Sequence, residues 1–445
     1  MLLIGNGMLV TRDPANPWFE NGCVAIEDRL IAAVGKTSDM RSKYPNARFL
    51  DAAGGLIMPG FINAHMHFYS AFSRGFSSGG EPAKNFQEVL ERLWWRLDRG
   101  LTLEDCYYSA MVCLIDCIKN GTTTVLDHHA SPYAVRGSLF ELGKAARLTG
   151  IRCCLSYEVS DRDGPEIVRQ GIDENMDFIR WAQKEGDDLL QGTFGLHASM
   201  TLSNETLVAC REAMGDCNAG FHVHVAEGPG DEVDSEKRYG KRILERFREY
   251  GLLGERSMAI HCIHINDREI DILKETNTAV VHNPESNMGN AVGVSPVLKL
   301  CERGVLTGLG TDGYVSDMLQ SYKLANALQK HAMEHPNVAW GEIPTMLFDN
   351  NATIAGRFFK TPLGRLAPGY SADVIVSDYV PPTTLTDQNI NGHLLFGTSG
   401  RSIVTTIARG KVLMENRELK ELDEKEIVGK ARELSAKTWE RIAAL

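Results

Sequence analysis

The strongest constraint on the fold is a repeated alternation of short apolar stretches with longer amphipathic ones through the middle of the chain. The short stretches follow strand patterns, and the longer ones carry apolar residues at helical spacing. Eight strands are predicted, over residues 61–68, 121–128, 151–159, 193–198, 220–226, 258–263, 279–282 and 305–310. Helices are predicted over residues 104–119, 137–148, 166–184, 205–214, 239–250 and 267–275.

This alternation predicts an α/β protein built on a (β/α)8 TIM-type barrel over residues 58–364, a fold whose usual size is about 250 residues. A doubly wound sheet would also alternate strands and helices. It would want a glycine-rich phosphate-binding turn after its first strand, and the chain has none. A further helix over residues 345–358 is expected to pack outside the barrel.

Both ends of the chain carry short strand patterns with turns instead. Residues 1–57 predict one half of a small β domain, and residues 365–445 predict its second half followed by an amphipathic helix over 424–444. Because chain termini often lie close together, the two halves are expected to form one composite β-sandwich.

Charge and hydropathy exclude some functions. The net charge is −11, from 47 Lys plus Arg against 58 Asp plus Glu, with no basic run, so nucleic acid is not an expected partner. No apolar run has the length of a membrane span and the N-terminus lacks a signal-peptide pattern, which predicts a cytoplasmic protein with no membrane partner. The ten cysteines lie in apolar patterns without a Cys-x-x-Cys pair, as expected of buried free thiols.

Four side chains at predicted strand ends suggest a metal centre. His65 and His67 are two residues apart on the first strand, so they face the same way and can bind one ion. His224 on the fifth strand and Asp312 after the eighth complete a set that suits zinc first, or iron or manganese. His222 shares the face of His224, and His224 is preferred because it lies nearer the C-terminal end of the strand, where a parallel barrel keeps its chemistry.

Two further residues fit roles in acid–base chemistry beside such a metal. Glu227 lies three residues after His224, where a carboxylate can take a proton from a metal-activated water and return it to a leaving nitrogen. His261 ends the sixth strand and is expected to act as an electrophile near the metal. His264 is its rival and is less favoured, because it lies three residues farther on.

Residues for substrate binding are predicted from their chemistry. His197 ends the fourth strand at the same mouth, and the guanidinium of Arg162 can bind a ring carbonyl or carboxylate. Trp94 or Trp95 can stack on a planar ring, although such a pair is more often core. Of His128 and His129, alternation lets only one face the pocket, and His129 is favoured by its position nearer the mouth.

These motifs, in this order, resemble the amidohydrolase superfamily, in its branch of cytosine, guanine and adenosine-type deaminases and triazine hydrolases. The resemblance spans nearly the whole chain and is carried by Pro59-Gly-Phe-Ile-Asn-Ala-His-Met-His67, His224-Val-Ala-Glu227, Val281-His-Asn-Pro-Glu-Ser-Asn287, Gly310-Thr-Asp312-Gly and Leu366-Ala-Pro-Gly-Tyr-Ser-Ala-Asp373. It implies one divalent metal on His65, His67, His224 and Asp312, with Glu227 as proton shuttle, His261 as its electrophilic partner, and a homodimer. Members with two metals carry a carboxylated lysine at the end of the fourth strand, where this chain has His197.

Within that branch the chain is most similar to the SsnA-type aminohydrolases, through Leu93-Trp-Trp-Arg-Leu-Asp98 and Asp127-His-His-Ala-Ser-Pro132. That group is associated with purine breakdown. The usual deaminase pattern of a tryptophan and a glutamate after the first helix is replaced here by Trp94, Trp95, Arg96 and Asp98, so no familiar substrate carries over.

The expected function is hydrolysis of a C–N bond in a purine- or pyrimidine-derived heterocycle, with loss of an exocyclic amine favoured. Three alternatives are kept. They are ring opening of a cyclic amide in purine breakdown, chloride displacement from a triazine-like ring, and a catalytically inactive scaffold derived from a hydrolase.

Overall fold

A nine-stranded sheet joins the two ends of the chain in the computed structural model, which describes residues 1–77, 79 and 81–445. Its order is β18-β17-β16-β15-β5-β1-β2-β3, with β4 paired to β1. The strands are β1 (Leu2–Val10), β2 (Trp18–Glu27), β3 (Leu30–Lys36), β4 (Arg48–Asp51), β5 (Leu56–Pro59), β15 (Val374–Ser377), β16 (Ile403–Ala408), β17 (Lys411–Glu415) and β18 (Glu418–Leu419). The two halves meet where β5 pairs antiparallel with β15, which confirms the composite arrangement.

Between these ends, eight parallel strands form the barrel. They are β6 (Phe61–Met66), β7 (Thr122–His129), β8 (Arg152–Tyr157), β10 (Phe194–Ala198), β11 (Phe221–Val225), β12 (Met258–His261), β13 (Ala279–His282) and β14 (Thr307–Leu309). Regular pairing runs from β6 to β8 and from β10 to β14. Single parallel bridges, Val159 to Leu196 and Met66 to Asp312, join the two arcs. The predicted barrel is therefore confirmed, with one unpredicted short strand, β9 (Leu190–Gly192), pairing with β8.

Helices surround the barrel. Their bounds are α1 (Thr37–Lys43), α2 (Phe86–Val89), α3 (Trp95–Gly100), α4 (Leu103–Lys119), α5 (Ser138–Thr149), α6 (Pro165–Glu185), α7 (Asn204–Met214), α8 (Pro229–Tyr239), α9 (Ile243–Glu249), α10 (Asp267–Glu275), α11 (Pro284–Gly289), α12 (Val297–Glu302), α13 (Met318–Ala332), α14 (Glu342–Thr345), α15 (Asn351–Gly356), α16 (Ile390–Gly397) and α17 (Glu424–Ala443). Two π-helical turns, Leu90–Trp94 and Met346–Asn350, connect α2 to α3 and α14 to α15.

Local sequence explains several of these boundaries. Thr102 and Asp105 form a reciprocal capping box at the start of α4, and Asn266 and Glu269 do the same for α10. The predicted helix over 239–250 is wrong at its start, since α8 ends at Tyr239 and α9 begins only at Ile243. The cause is Gly240, which ends α8 in a left-handed conformation at φ +67°.

A buried ion pair fixes the barrel to the composite sheet. Arg152 on β8 and Asp373, just before β15, are 2.7 Å apart, with side chains 1% and 7% exposed. The same guanidinium donates to the hydroxyls of Thr124 and Ser371. The predicted division at residues 57/58 and 364/365 stays a prediction. In the structure, β5 of the composite sheet extends through Pro59, and the first barrel strand begins at Phe61.

Apolar side chains fill one end of the barrel interior, and polar and titratable side chains lie at the other. The lower interior is filled by side chains such as Ile62, Leu126, Met258 and Val281, which belong to one buried cluster. Polar and titratable residues therefore collect toward the carboxyl ends of the strands, as is usual in this fold. Among the described residues, no helix is both long enough and apolar enough to cross a lipid bilayer.

Candidate active site

Strand ends bring the four predicted metal ligands together. His65 lies on β6 and His67 directly after it, His224 lies on β11, and Asp312 follows β14 by three residues. The backbone N–H of Asp312 donates to the carbonyl of His65 over 3.0 Å, which fixes the last strand against the first. Residues 247 positions apart in sequence thereby share one site.

Their donor atoms face one another at short range. His67 Nε2 lies 3.2 Å from Asp312 Oδ1 and 3.3 Å from His224 Nε2, and His65 Nε2 lies 4.0 Å from Asp312 Oδ1. Ligands that bind zinc at about 2.0–2.1 Å in a tetrahedron lie roughly 3.3 Å from each other. The observed spacing matches that value for the closest pairs.

The second ring nitrogen of each histidine ligand has a partner that fixes the ring. His67 Nδ1 donates to the carbonyl of His128 over 2.5 Å, and His224 Nδ1 donates to the carbonyl of His197 over 2.9 Å. His65 Nδ1 is 2.8 Å from His222 Nε2. Because a carbonyl only accepts, the Nε2 atoms of His67 and His224 are left with their lone pairs toward the site, as metal ligands require.

The local charge also fits a cation. Burial lowers the pKa of His67, but the hydrogen bond and charge of Asp312 outweigh burial and raise that pKa to about 9. The site therefore favours positive charge at His67 Nε2, and a metal ion there would replace the proton and leave the lone pair as a ligand. Burial raises the pKa of Asp312, but His67 and His261 hold it well below its usual range. His65 Nε2 is buried and has no hydrogen-bond partner. A divalent ion would satisfy these facing lone pairs, so the residues present fit a metal.

Glu227 and His261 meet beside this cluster. His261 Nε2 lies 3.3 Å from Glu227 Oε2 and 3.4 Å from Asp312 Oδ2, and Asn290 donates to Glu227 Oε1 over 3.2 Å. Burial raises the pKa of Glu227 to about 7, against the lowering effect of His261. A carboxylate with a pKa near neutrality is suited to both accept and return a proton.

The backbone of the site is strained at three strand ends. Ala226, His261 and Asp312 have φ values of +48°, +71° and +56°. Non-glycine residues rarely adopt this left-handed conformation, and it is typical of functional sites. His261 Nδ1 bonds Asn287 Oδ1 at 2.9 Å, which holds the ring in place. Its rival His264 turns away, with Nε2 2.8 Å from the carbonyl of Val292.

A cavity of 340 Å³ is lined by three of the predicted metal ligands, His67, His224 and Asp312, and by Glu227. Trp94 and Trp95 both line it, although adjacent residues of a regular helix point about 100° apart. The π-helical turn Leu90–Trp94 immediately precedes Trp95 and changes the helical repeat there. Such turns are frequent at functional sites.

Arg162 and His197 also line the cavity. Arg162 Nη2 bonds Asp98 Oδ2 at 2.9 Å, and its guanidinium carbon lies 4.9 Å from the ring centre of Trp95. His197 Nδ1 lies 2.7 Å from the hydroxyl of Thr201. Three of the four predicted substrate residues, Trp94, Arg162 and His197, therefore face one space.

The fourth, His129, is placed elsewhere, and that prediction is corrected. His129 is fully buried, with Nε2 3.0 Å from Ser131 Oγ and 3.4 Å from Cys106 Sγ, and it is not among the described residues that line the cavity. Its neighbour His128 points into the barrel instead, where its ring stacks on His222 at 4.4 Å. The two rings lie on opposite faces of the strand, as alternation predicts, but neither histidine is among the described residues that line the cavity.

One residue of the site, Glu158, was missed from the sequence. It follows β8, lines the cavity, and lies 3.4 Å from His67 Nδ1 and 3.3 Å from His128 Nδ1. Burial raises its pKa to about 7. The available signal was an acidic residue inside the apolar run 151–159, a position that a strand pattern alone does not explain.

Comparison with known proteins decides the family. A family model described as the Amidohydrolase family matches residues 56–413, which is most of the chain. The chain belongs to the amidohydrolase family. A shorter match, to an imidazolonepropionase-like composite domain of bacteria, covers residues 22–47 in the N-terminal half of the composite sheet.

Two curated relatives match this amidohydrolase over nearly its whole length. The 5′-deoxyadenosine deaminase of Methanosarcina mazei is 30% identical over 446 residues, covering 99% of each chain. The 5-methylthioadenosine/S-adenosylhomocysteine deaminase of Syntrophomonas wolfei is 32% identical over 447 residues, covering 98% of this chain and 99% of the relative. These matches confirm the prediction of a metal-dependent hydrolase that acts on a C–N bond of a nitrogen heterocycle.

A solved structure supports the fold. An adenosine deaminase from Xanthomonas campestris, with bound zinc, superposes with a TM-score of 0.86 at 22% identity, covering 98% of each chain. At 22% identity, this similarity supports the fold alone, namely the barrel and the composite sheet.

Proposed function

We propose that this amidohydrolase is a deaminase that removes an exocyclic amine, as ammonia, from a purine- or pyrimidine-type ring. The observation that carries the proposal is Glu227, whose carboxylate lines the cavity with its side chain 13% exposed and lies 3.3 Å from His261 Nε2, beside the four donor side chains. The deaminase names of two relatives that match end to end support loss of an amine over ring opening.

In this proposal His65, His67, His224 and Asp312 hold one divalent ion. Zinc is our first choice because the adenosine deaminase of the same fold binds zinc, and iron or manganese suit the same ligands. When bound, such an ion would lower the pKa of a water molecule to about 7 and polarise the atom under attack.

The protein's own groups then handle protons and charge. Glu227 accepts one proton from the attacking water at a carboxylate oxygen and delivers it to the ring nitrogen. It then takes the proton of the hydroxyl newly bonded to carbon and delivers it to the departing amine, which leaves as ammonia while the carbonyl forms. His261 Nε2 faces the same place and stabilises negative charge that develops on the oxygen. Asp312 orients the water through Oδ2, the oxygen that lies 3.4 Å from His261 Nε2.

Substrate binding is proposed for Trp94, Arg162 and His197. The cavity volume of 340 Å³ is at the small end of the usual range for ligand pockets, which suits a bicyclic ring with few substituents. The indole rings provide flat apolar surface, and Arg162 and His197 provide polar contacts. The homodimer implied by the family resemblance and the predicted cytoplasmic location stay predictions.

Product analysis tests the proposal. Metal-loaded protein is incubated with adenine-, guanine- and cytosine-type rings, their nucleosides and a chlorotriazine, and ammonia, new carboxylate and chloride are measured. Deamination predicts ammonia in equal amount to ring product. Carboxylate without ammonia would support the ring-opening alternative, chloride alone would support dechlorination, and no product from any ring would contradict catalysis on this class.

A further inference from the structure

Glu158 places a carboxylate in the cavity wall. Its side chain is 2% exposed, and its Oε1 atom is buried with no hydrogen bond. The nearest ring nitrogen of His67 already donates its hydrogen to the carbonyl of His128. Oε1 packs against the rings of His67 and His128, which leaves Oε2 as the oxygen that a ligand N–H in the cavity can reach.

A second acceptor stands beside it. The hydroxyl of Thr201 donates to the carbonyl of Ala198 over 3.1 Å, so its oxygen accepts the hydrogen on His197 Nδ1 at 2.7 Å. The other nitrogen of His197, Nε2, therefore carries a lone pair, and it lies 3.9 Å from Glu158 Oε2. This part of the wall offers two acceptors, and Arg162 Nη1, which is buried without a hydrogen-bond partner, is a donor of the same cavity.

Burial raises the pKa of Glu158 and the charge of the cavity arginine opposes that rise, but the ion pair of this arginine is with Asp98. Arg162 is committed to Asp98 at 2.9 Å and lies over the ring of Trp95. Within the residues that the structure describes, the ion-pair contacts of Glu158 within 4.0 Å are all to histidine nitrogens. His128 Nδ1, 3.3 Å from Oε1, can supply an N–H to that oxygen, and a molecule bound in the cavity can supply another to Oε2.

Glu158 and Glu227 approach the metal ligands from different sides. Glu158 follows β8 and contacts His67 and His128, whereas Glu227 follows β11 and contacts His261 and Asn290. A flat ring whose reacting carbon lies at the ligand cluster has two neighbouring ring atoms. One then faces Glu227, and the other faces Glu158.

Building on the proposed deamination, we propose that Glu158 recognises an N–H next to the reacting carbon, so that the preferred substrate is a cyclic acylguanidine of the guanine or isocytosine type. In such rings the carbon that bears the amine lies between a nitrogen with a lone pair, which Glu227 can protonate, and an N–H, which can donate to Glu158. In an adenine ring that carbon lies between a nitrogen and a carbon without hydrogen. This preference separates the protein from the adenosine-type deaminases that it resembles in sequence.

The test compares ring types in one assay. We measure kcat/KM for ammonia release from guanine and isocytosine, and from adenosine and 5′-deoxyadenosine, with metal-loaded wild type and Glu158→Gln. Wild type is expected to prefer the acylguanidine rings by about 10- to 100-fold, the range for one hydrogen bond to a charged group. Glu158→Gln is expected to shrink that ratio roughly tenfold while keeping its metal content.

Each contrary result has a distinct meaning. A wild-type preference for adenosine-type rings would overturn this inference and leave the proposed deamination intact. An equal loss on both ring types in Glu158→Gln, or loss of metal, would show that Glu158 positions His67 and would also overturn it. No ammonia from any ring in wild type would overturn both. The wild-type ratio needs no variant, so the inference is testable even if Glu158→Gln does not fold.

Discussion

The Nε2 atom of His261 lies 3.3 Å from Oε2 of Glu227, although the two residues come from the ends of different strands. Asp312 Oδ2 lies 3.4 Å from the same nitrogen, so one imidazole faces two carboxylates. The left-handed backbone at His261, φ +71°, and its bond to Asn287 hold this arrangement. The groups that move protons and those that bind the metal are therefore one connected structure.

Glu227→Gln should retain the metal and the fold but lose turnover by about 10²- to 10⁴-fold, because an amide cannot accept and return a proton. Steady-state ammonia release and metal content are measured together. Glu285→Gln is the matched control, since Glu285 is half-buried on α11 and bonds Gln320 away from the cavity. Turnover near wild type in Glu227→Gln would remove Glu227 from the mechanism.

His261→Asn and His264→Asn should behave differently. His261 Nε2 faces the reacting site, so its loss should lower kcat by roughly 10²-fold, the cost of one group that stabilises developing charge. His264 bonds the carbonyl of Val292, so its replacement should change kcat by less than about threefold. A larger loss of kcat in His264→Asn than in His261→Asn would reverse the assignment.

Much of the fold was predictable because strand and helix periodicity is local. β13 and α10 begin and end where the pattern predicted, at Ala279–His282 and Asp267–Glu275. Helix α13 was not predicted, although it packs with its apolar side buried. Its sequence directly follows the loop that carries Asp312.

The site could be predicted where the spacing of residues along a strand decides whether they share a face. It could not be predicted where one must also know which face points into the barrel. His65 and His67 share a face whatever the register, so their meeting follows from alternation alone. Which of His128 and His129 faces inward depends on the position of β7 against its neighbours, and no local pattern records that register. Glu158 became visible only when the contacts of its carboxylate were known.

Asp373→Asn should destabilise the protein by about 3–5 kcal/mol, because it leaves the guanidinium of Arg152 buried without its ion-pair partner. Urea unfolding of the metal-loaded protein measures the change. Arg248 and Glu275 provide the comparison, since they form an exposed ion pair at 2.8 Å whose loss should cost less than about 1 kcal/mol. Equal effects of Asp373→Asn and Glu275→Gln would show that burial of the Arg152 pair contributes little.

The central claim is that side chains from three distant parts of the chain bind one cation. Elemental analysis of metal per chain tests it most directly, on wild type, His224→Ala and Asp312→Ala, with His129→Ala as a histidine variant outside the cluster. We expect one equivalent in wild type and in His129→Ala, and a fall to a small fraction of that in both ligand variants. A full equivalent retained in His224→Ala and Asp312→Ala would contradict the proposed site.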